Sequence, residues 1–254
     1  MRWLAFIVTS AALGQGPVAI EFGPETFNVD VDGTAVPFTT KGVIHAANSS
    51  DGGLDIGIQF DSDMTGLQGQ LPAIIQKKVN ASQTCGARVN INDVAVKPQN
   101  RNAILSMNGH YENWKCPPAG FLWLSKRPPQ KIYEQNGAAR FRLEAKAAAD
   151  GSGLEITPQL ESVDVEGVLG KLLKTFFIGP FIRDILIHRI MQSVNAANLK
   201  RSFPAALAEF KPQMQAARFT DIGGGKLGLS VNMTLHVNKA QAGGLLKRIV
   251  EQSR

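Results

Sequence analysis

From Val18 to Asp63 the chain alternates apolar and polar residues in short runs: "VAIEF", "TFNVDVDG", "AVPFTTKGVIHAA" and "GLDIGIQFDSD". Asp-Gly, Gly-Pro and Ser-Ser-Asp-Gly-Gly clusters separate them. A period of two turns every second side chain to one face, so these runs predict antiparallel strands with one buried and one wet side. In "GLDIGIQFD" the inward set is Leu54, Ile56, Ile58 and Phe60, with Asp55, Gln59 and Asp61 outward. The period then lengthens. Over Leu67 to Ser82, Leu71, Ile75 and Val79 recur every four residues with Ile74 beside them, which predicts an amphipathic helix. Pro72 suits a first helical turn, so the regular helix is expected to begin near Leu71.

Strand grammar returns between Cys85 and Cys116, where two alternating runs flank a polar turn at Lys97 to Asn102. "PPAGFLWLSKRPPQ" follows as a Pro-rich loop, read either as a rim that touches a membrane or as a short core strand between bends. "AARFRLEAKAAAD" and "LEITPQLESVDVEG" make another hairpin around a Gly-Ser-Gly turn, and "RFTDIGGGKLGLSVNMTLHV" a third around Gly223 to Gly225. Between the last two lies "KLLKTFFIGPFIRDILIHRIMQSVNAAN", Lys171 to Asn198. Its apolar residues follow helical spacing. Gly179-Pro180 breaks the run, because Pro donates no hydrogen bond and disfavours a helical predecessor. The expectation is two amphipathic helices joined at a kink, with Arg183 and Asp184 arguing against a membrane span. "KAQAGGLLKRIVEQSR" reads as a closing amphipathic helix.

Composition adds bounds. The chain has 254 residues, 44% hydrophobic and 19% charged, which suits a globular protein with a sizeable core. The net charge of +6 is spread out, and its densest spots are not interleaved with aromatics, so nucleic acid is not an expected partner. At the N-terminus Arg2 precedes an apolar stretch from Trp3 to Leu13, with small residues at Ala12 and Gly14. This predicts a signal peptide over residues 1–16, the alternative being a buried N-terminal strand or helix. The protein is then periplasmic or secreted. The two cysteines of an exported chain are expected to form one disulfide that staples the open end of the Cys85–Cys116 hairpin, worth roughly 3 kcal/mol on loop-entropy grounds.

Catalytic chemistry is sparse. The four histidines, His45, His110, His188 and His236, stand at no metal-ligand spacing from one another. There is no Gly-x-Ser-x-Gly elbow, and "DIGGGKLG" lacks phosphate-loop spacing and reads as a hairpin turn. Asp61 and Asp63 read as a strand-ending turn before a cation site. No catalytic residue, metal ligand or cofactor is expected, and an enzyme is not.

The helix "LPAIIQKKVNAS", the cystine-bracketed hairpin, and the kinked helix followed by "FTDIGGGKLGLSVNMTLHV" together resemble the tubular lipid-binding (TULIP) superfamily in its single-barrel, bacterial exported type. The resemblance runs in pattern from Ala19 to Val237. It implies an α+β fold in which a long, strongly twisted antiparallel sheet is rolled around a long kinked amphipathic helix, as a single elongated domain over residues 17–254. It further implies binding of a lipid or other elongated hydrophobic molecule, with possible transfer and transient contact with a membrane surface. The expected wall of an apolar cavity between sheet and helix is Leu172, Phe176, Phe177, Phe181, Ile185 and Ile190, with Leu71, Ile75 and Val79 opposite. The competing reading is a structural or protein-interaction module of the cell envelope with a filled core.

Overall fold

The computed structural model describes residues 18–31, 33–79, 85–116, 128–151, 153–165 and 212–241. The alternating runs form strands where expected: β1 (Val18–Val31), β2 (Thr34–Asn48) and β3 (Leu54–Asp63). Helix α1 (Thr65–Val79) follows. Two hairpins come next, β4 (Gly86–Gln99) with β5 (Asn102–Lys115), and β6 (Gln130–Ala147) with β7 (Leu154–Val165). The chain then returns as β8 (Gln213–Asp221) and β9 (Leu227–Val237).

These strands make two antiparallel sheets, one of five strands in the order β1-β2-β3-β9-β8 and one of four in the order β4-β5-β6-β7. This corrects the expected α+β architecture of a single sheet rolled around a long helix. The reason lies in the connections. α1 carries the chain off the edge of β3, the strands β4 to β7 then pair only with their sequence neighbours, and β9 comes back to take the free side of β3. The residues 171–198, over which the kinked helix was expected, lie outside the described residues, as do the signal-peptide stretch, most of the Pro-rich loop and nearly all of the C-terminal helix. No helix among the described residues is long and apolar enough to cross a membrane.

The hairpin turns obey local chemistry. β4 and β5 are joined by only Asn100 and Arg101, and Asn100 sits at φ 57°, a left-handed conformation that Asn tolerates well. Gly223, Gly224 and Gly225 supply three positive φ values between β8 and β9. Strand prolines sit where one side needs no ladder bond: Pro98 on edge strand β4 and Pro158 on edge strand β7.

α1 begins six residues earlier than its proline suggests. Asp63 accepts the Thr65 N–H at 2.8 Å and also the Thr65 hydroxyl, an Asx turn that starts the helix. Pro72 therefore falls inside the helix. Leu67, Leu71, Ile74 and Ile75 are all buried. The helix lies along edge strand β4, where Gln68 Nε2 donates to the Val96 carbonyl at 2.8 Å and Gln76 Nε2 to the Asn92 carbonyl at 3.0 Å. Side-chain amides thus satisfy carbonyls of an edge that would otherwise face water or another chain.

The sheets meet at the turn end of the four-stranded sheet. There the Phe219 N–H donates to the Arg101 carbonyl and the Met214 N–H to the Gly151 carbonyl, so β8 reaches from the β4–β5 turn to the β6–β7 turn. One apolar cluster joins both inner faces, with Val31, Val36, Phe38, Ile58 and Val231 from one sheet and Val96, Leu105, Phe141 and Leu143 from the other.

Candidate functional site

The disulfide links Cys85 and Cys116, with Cα atoms 5.6 Å apart, immediately outside β4 and β5. It closes the end of the four-stranded sheet opposite the turns, and it fits an oxidising environment outside the cytosol. Strand alternation divides this end into two faces of different chemistry.

The inner face extends the core. Moving from the turn end towards the disulfide, cross-strand pairs run Ala103–Leu143, Leu105–Phe141 and Met107–Ala139, all buried. The next pair is Gly109–Gly137, two residues without side chains directly opposite one another. Beyond it stand Tyr111 opposite Gln135 and Asn113 opposite Tyr133. The two tyrosine rings lie 6.4 Å apart in a tilted arrangement. Burial raises the Tyr111 phenol, and the neighbouring Tyr133 adds to the shift. Gln135 is only 7% exposed. Its Oε1 accepts from the Tyr133 hydroxyl, while its Nε2 has no hydrogen-bond partner among the described residues. A buried amide nitrogen without an acceptor costs about 1–3 kcal/mol, which makes it a ready donor for anything bound against this face.

The outer face of the same end is polar. His110 and Glu112 are two apart on β5 and so share a face; Glu134 lies directly opposite Glu112 on β6, and Asn136 directly opposite His110. His110 Nδ1 and Asn136 Oδ1 are 2.9 Å apart. Trp114 Nε1–H donates to Glu112 Oε2 at 2.8 Å. A register shift between Asn113 and Trp114 brings Lys131 opposite the tryptophan. Its ammonium contacts Glu112 Oε1 at 3.3 Å and pairs with Glu134 Oε2. Arg88 lies over the Trp114 ring at 4.5 Å. The Trp114 hydrogen bond, then Lys131, holds the Glu112 carboxyl below its ordinary range. Lys131 does the same for Glu134, and the two carboxylates, Glu134 first, raise Lys131 in return.

A third cluster sits in the five-stranded sheet. His236 Nδ1 lies 2.7 Å from Asp55 Oδ1 and Nε2 lies 3.0 Å from Asp51 Oδ2. Carboxylates only accept, so this pairing suits an imidazolium that donates from both nitrogens. Asp55, then Asp51, raises the His236 pKa. The Gly53 N–H first and His236 next lower Asp51, while His236 is the leading cause of lowering at Asp55.

Of the residues expected to line a cavity, Leu71 and Ile75 are 1% and 2% exposed and pack within the central cluster. The Val79 side chain, and Leu172, Phe176, Phe177, Phe181, Ile185 and Ile190, lie outside the described residues. Sequence reasoning missed the Gly109–Gly137 floor, Gln135 and the His110–Glu112–Glu134 cluster. The available signal was "HYEN" inside an alternating run, which places His110 and Glu112 on one face; their partner arrives from another strand and needs the β5–β6 register. No protein-family model, curated protein or solved structure matches this chain.

Proposed function

We propose that the protein binds a lipid, or a comparable elongated apolar molecule with a polar head, and acts outside the cytoplasm, in the periplasm or after secretion. The observation that carries this reading is the inner face near the disulfide: a Gly109–Gly137 floor beside two tyrosines and the buried Gln135 amide with its unpartnered donor. Ile91 Cδ1 lies over Gly109, 3.2 Å from where a Cβ would stand, so an acyl chain would lie against Gly137 and the Ile91 methyl, and a lone donor at its end suits an ester or carboxyl oxygen. Burying about ten methylenes at about 0.8 kcal/mol each gives about 8 kcal/mol, the scale of micromolar affinity before ordering costs.

The test is gentle purification of the mature protein, solvent extraction and mass spectrometry. A defined lipid in stoichiometric amount is expected, and Gly137→Val, which covers the floor while suiting a strand, should cut its retention at least fivefold. A wild-type chain that carries no extractable lipid and takes up none from vesicles overturns the reading. That outcome would favour the second one, an envelope interaction module, for which the continuous buried cluster and the ordered polar outer face around Trp114 speak.

A further inference from the structure

Two carboxylates placed directly opposite each other on neighbouring strands repel, so the Glu112–Glu134 pair requires a cation between them. In the structure Lys131 supplies it, through Glu112 Oε1 and Glu134 Oε2. The same two oxygens face His110 Nε2, at 3.6 and 3.7 Å. The three atoms lie within 4.8 Å of one another. A tetrahedral zinc ion with bonds of about 2.0–2.1 Å has ligand–ligand edges of about 3.3 Å, so closing the site around an ion needs a shift of a few tenths of an ångström between the imidazole and each carboxylate, and the two carboxylate oxygens must draw together from within 4.8 Å to about that edge.

The surroundings are arranged as a metal's outer shell is. His110 is held through its other nitrogen: the Asn136 amide oxygen accepts from Nδ1–H, which leaves the Nε2 lone pair directed at the carboxylates. Glu112 is held through its other oxygen by Trp114 Nε1–H, which leaves Oε1 for the ion. An acceptor nitrogen aimed at two acceptor carboxylates is unfavourable unless positive charge lies among them.

We propose that His110, Glu112 and Glu134 bind a divalent cation of the zinc class, with the Lys131 ammonium occupying the cation's place in its absence and moving aside when the ion enters. An imidazole with two carboxylates is a borderline donor set that suits zinc better than magnesium or calcium. The fourth coordination position faces solvent, as the 56% exposure of the Glu134 side chain indicates, and water takes it. The residues are distinct from those of the proposed lipid site, which lie on the opposite face of the same strands.

The experiment is titration of the oxidised, metal-stripped full chain with Zn2+ by calorimetry, repeated with Co2+ to read ligand-field absorption. One ion per chain is expected, with a tetrahedral Co2+ spectrum. His110→Ala and Glu134→Gln should each weaken binding at least tenfold, and Lys131→Met, which removes the competing ammonium, should tighten it. A circular-dichroism melt confirms that each variant is folded. The proposal is overturned if the wild-type chain takes up no ion, if the His110 and Glu134 variants bind as wild type does (an adventitious ion only), or if Lys131→Met leaves the affinity unchanged.

Discussion

At the scale of single residues, Gln68 ties together three parts of the molecule. From α1 its Nε2 donates to Val96 on β4 at 2.8 Å and to Gly225 in the β8–β9 turn at 2.9 Å, while its Oε1 accepts from the Leu227 N–H at 2.9 Å. All three partners are backbone groups, so the side chain fixes how the helix sits against both sheets whatever side chains those positions carry. Gln68→Ala strands two carbonyls and one N–H at a partly buried site and should lower stability by about 2 kcal/mol or more. Urea denaturation checks this, with an unchanged m-value marking a loss confined to the native state. A midpoint equal to that of wild type would show that water replaces the amide fully. Gln68 is also a residue whose role composition and period conceal, because a glutamine on the polar side of an amphipathic helix reads as solvated surface.

At the scale of elements, the strands were legible because burial on one face imposes period two. Ile56, Ile58 and Phe60 are buried and Asp55 and Gln59 exposed, as the alternation requires. The disulfide was legible for the same reason, since two flanking alternating runs bring their ends together. The start of α1 was not. Pro72 marks a favourable first turn, but the Asp63–Thr65 Asx turn nucleates the helix earlier, and burial of Leu67 and Leu71 outweighs one missing N–H. The turn after β2 carries a charge device with a computable sign. The His236 contribution is fully present below its ordinary pKa of 6.5 and is lost as pH rises through the raised folded value. The Asp51 and Asp55 contributions are present above their ordinary 3.8 and are lost as pH falls through the lowered folded values. The clasp is therefore complete between these limits. Amide protection factors around Ser49–Asp55 and at the end of β9 should be higher at about pH 5.5 than at about pH 8.5. His236→Asn should abolish the difference. A difference that survives in the variant would assign it to another group.

At the scale of the whole molecule, the division into two sheets was hidden because alternation states which face a residue takes, never which strand lies beside it. β3 is followed in sequence by α1 and β4, yet its second neighbour is β9, and Leu54 pairs with Val237 at the far end of the chain. The single rolled sheet was what the resemblance to the TULIP superfamily implied, and the alternation of residues along the strands carried nothing that could have divided it. The buried cluster nevertheless spans both sheets and α1 without interruption. Because no apolar boundary separates the sheets, they should unfold as one cooperative unit. Leu105 on β5 is fully buried on the inner face of the four-stranded sheet, in the cluster that also holds Phe219 and Leu229 of the other sheet. Leu105→Ala removes three heavy atoms from that junction and should cost about 2–5 kcal/mol. Under native conditions, hydrogen exchange of the slowest amides should then accelerate by the same factor in β2 and β3 as in β5 and β6, because those amides exchange only through global opening. If the effect were confined to the four-stranded sheet, the two sheets would be separate folding units and the shared cluster would be a contact between them, with the stability of each set by its own strands.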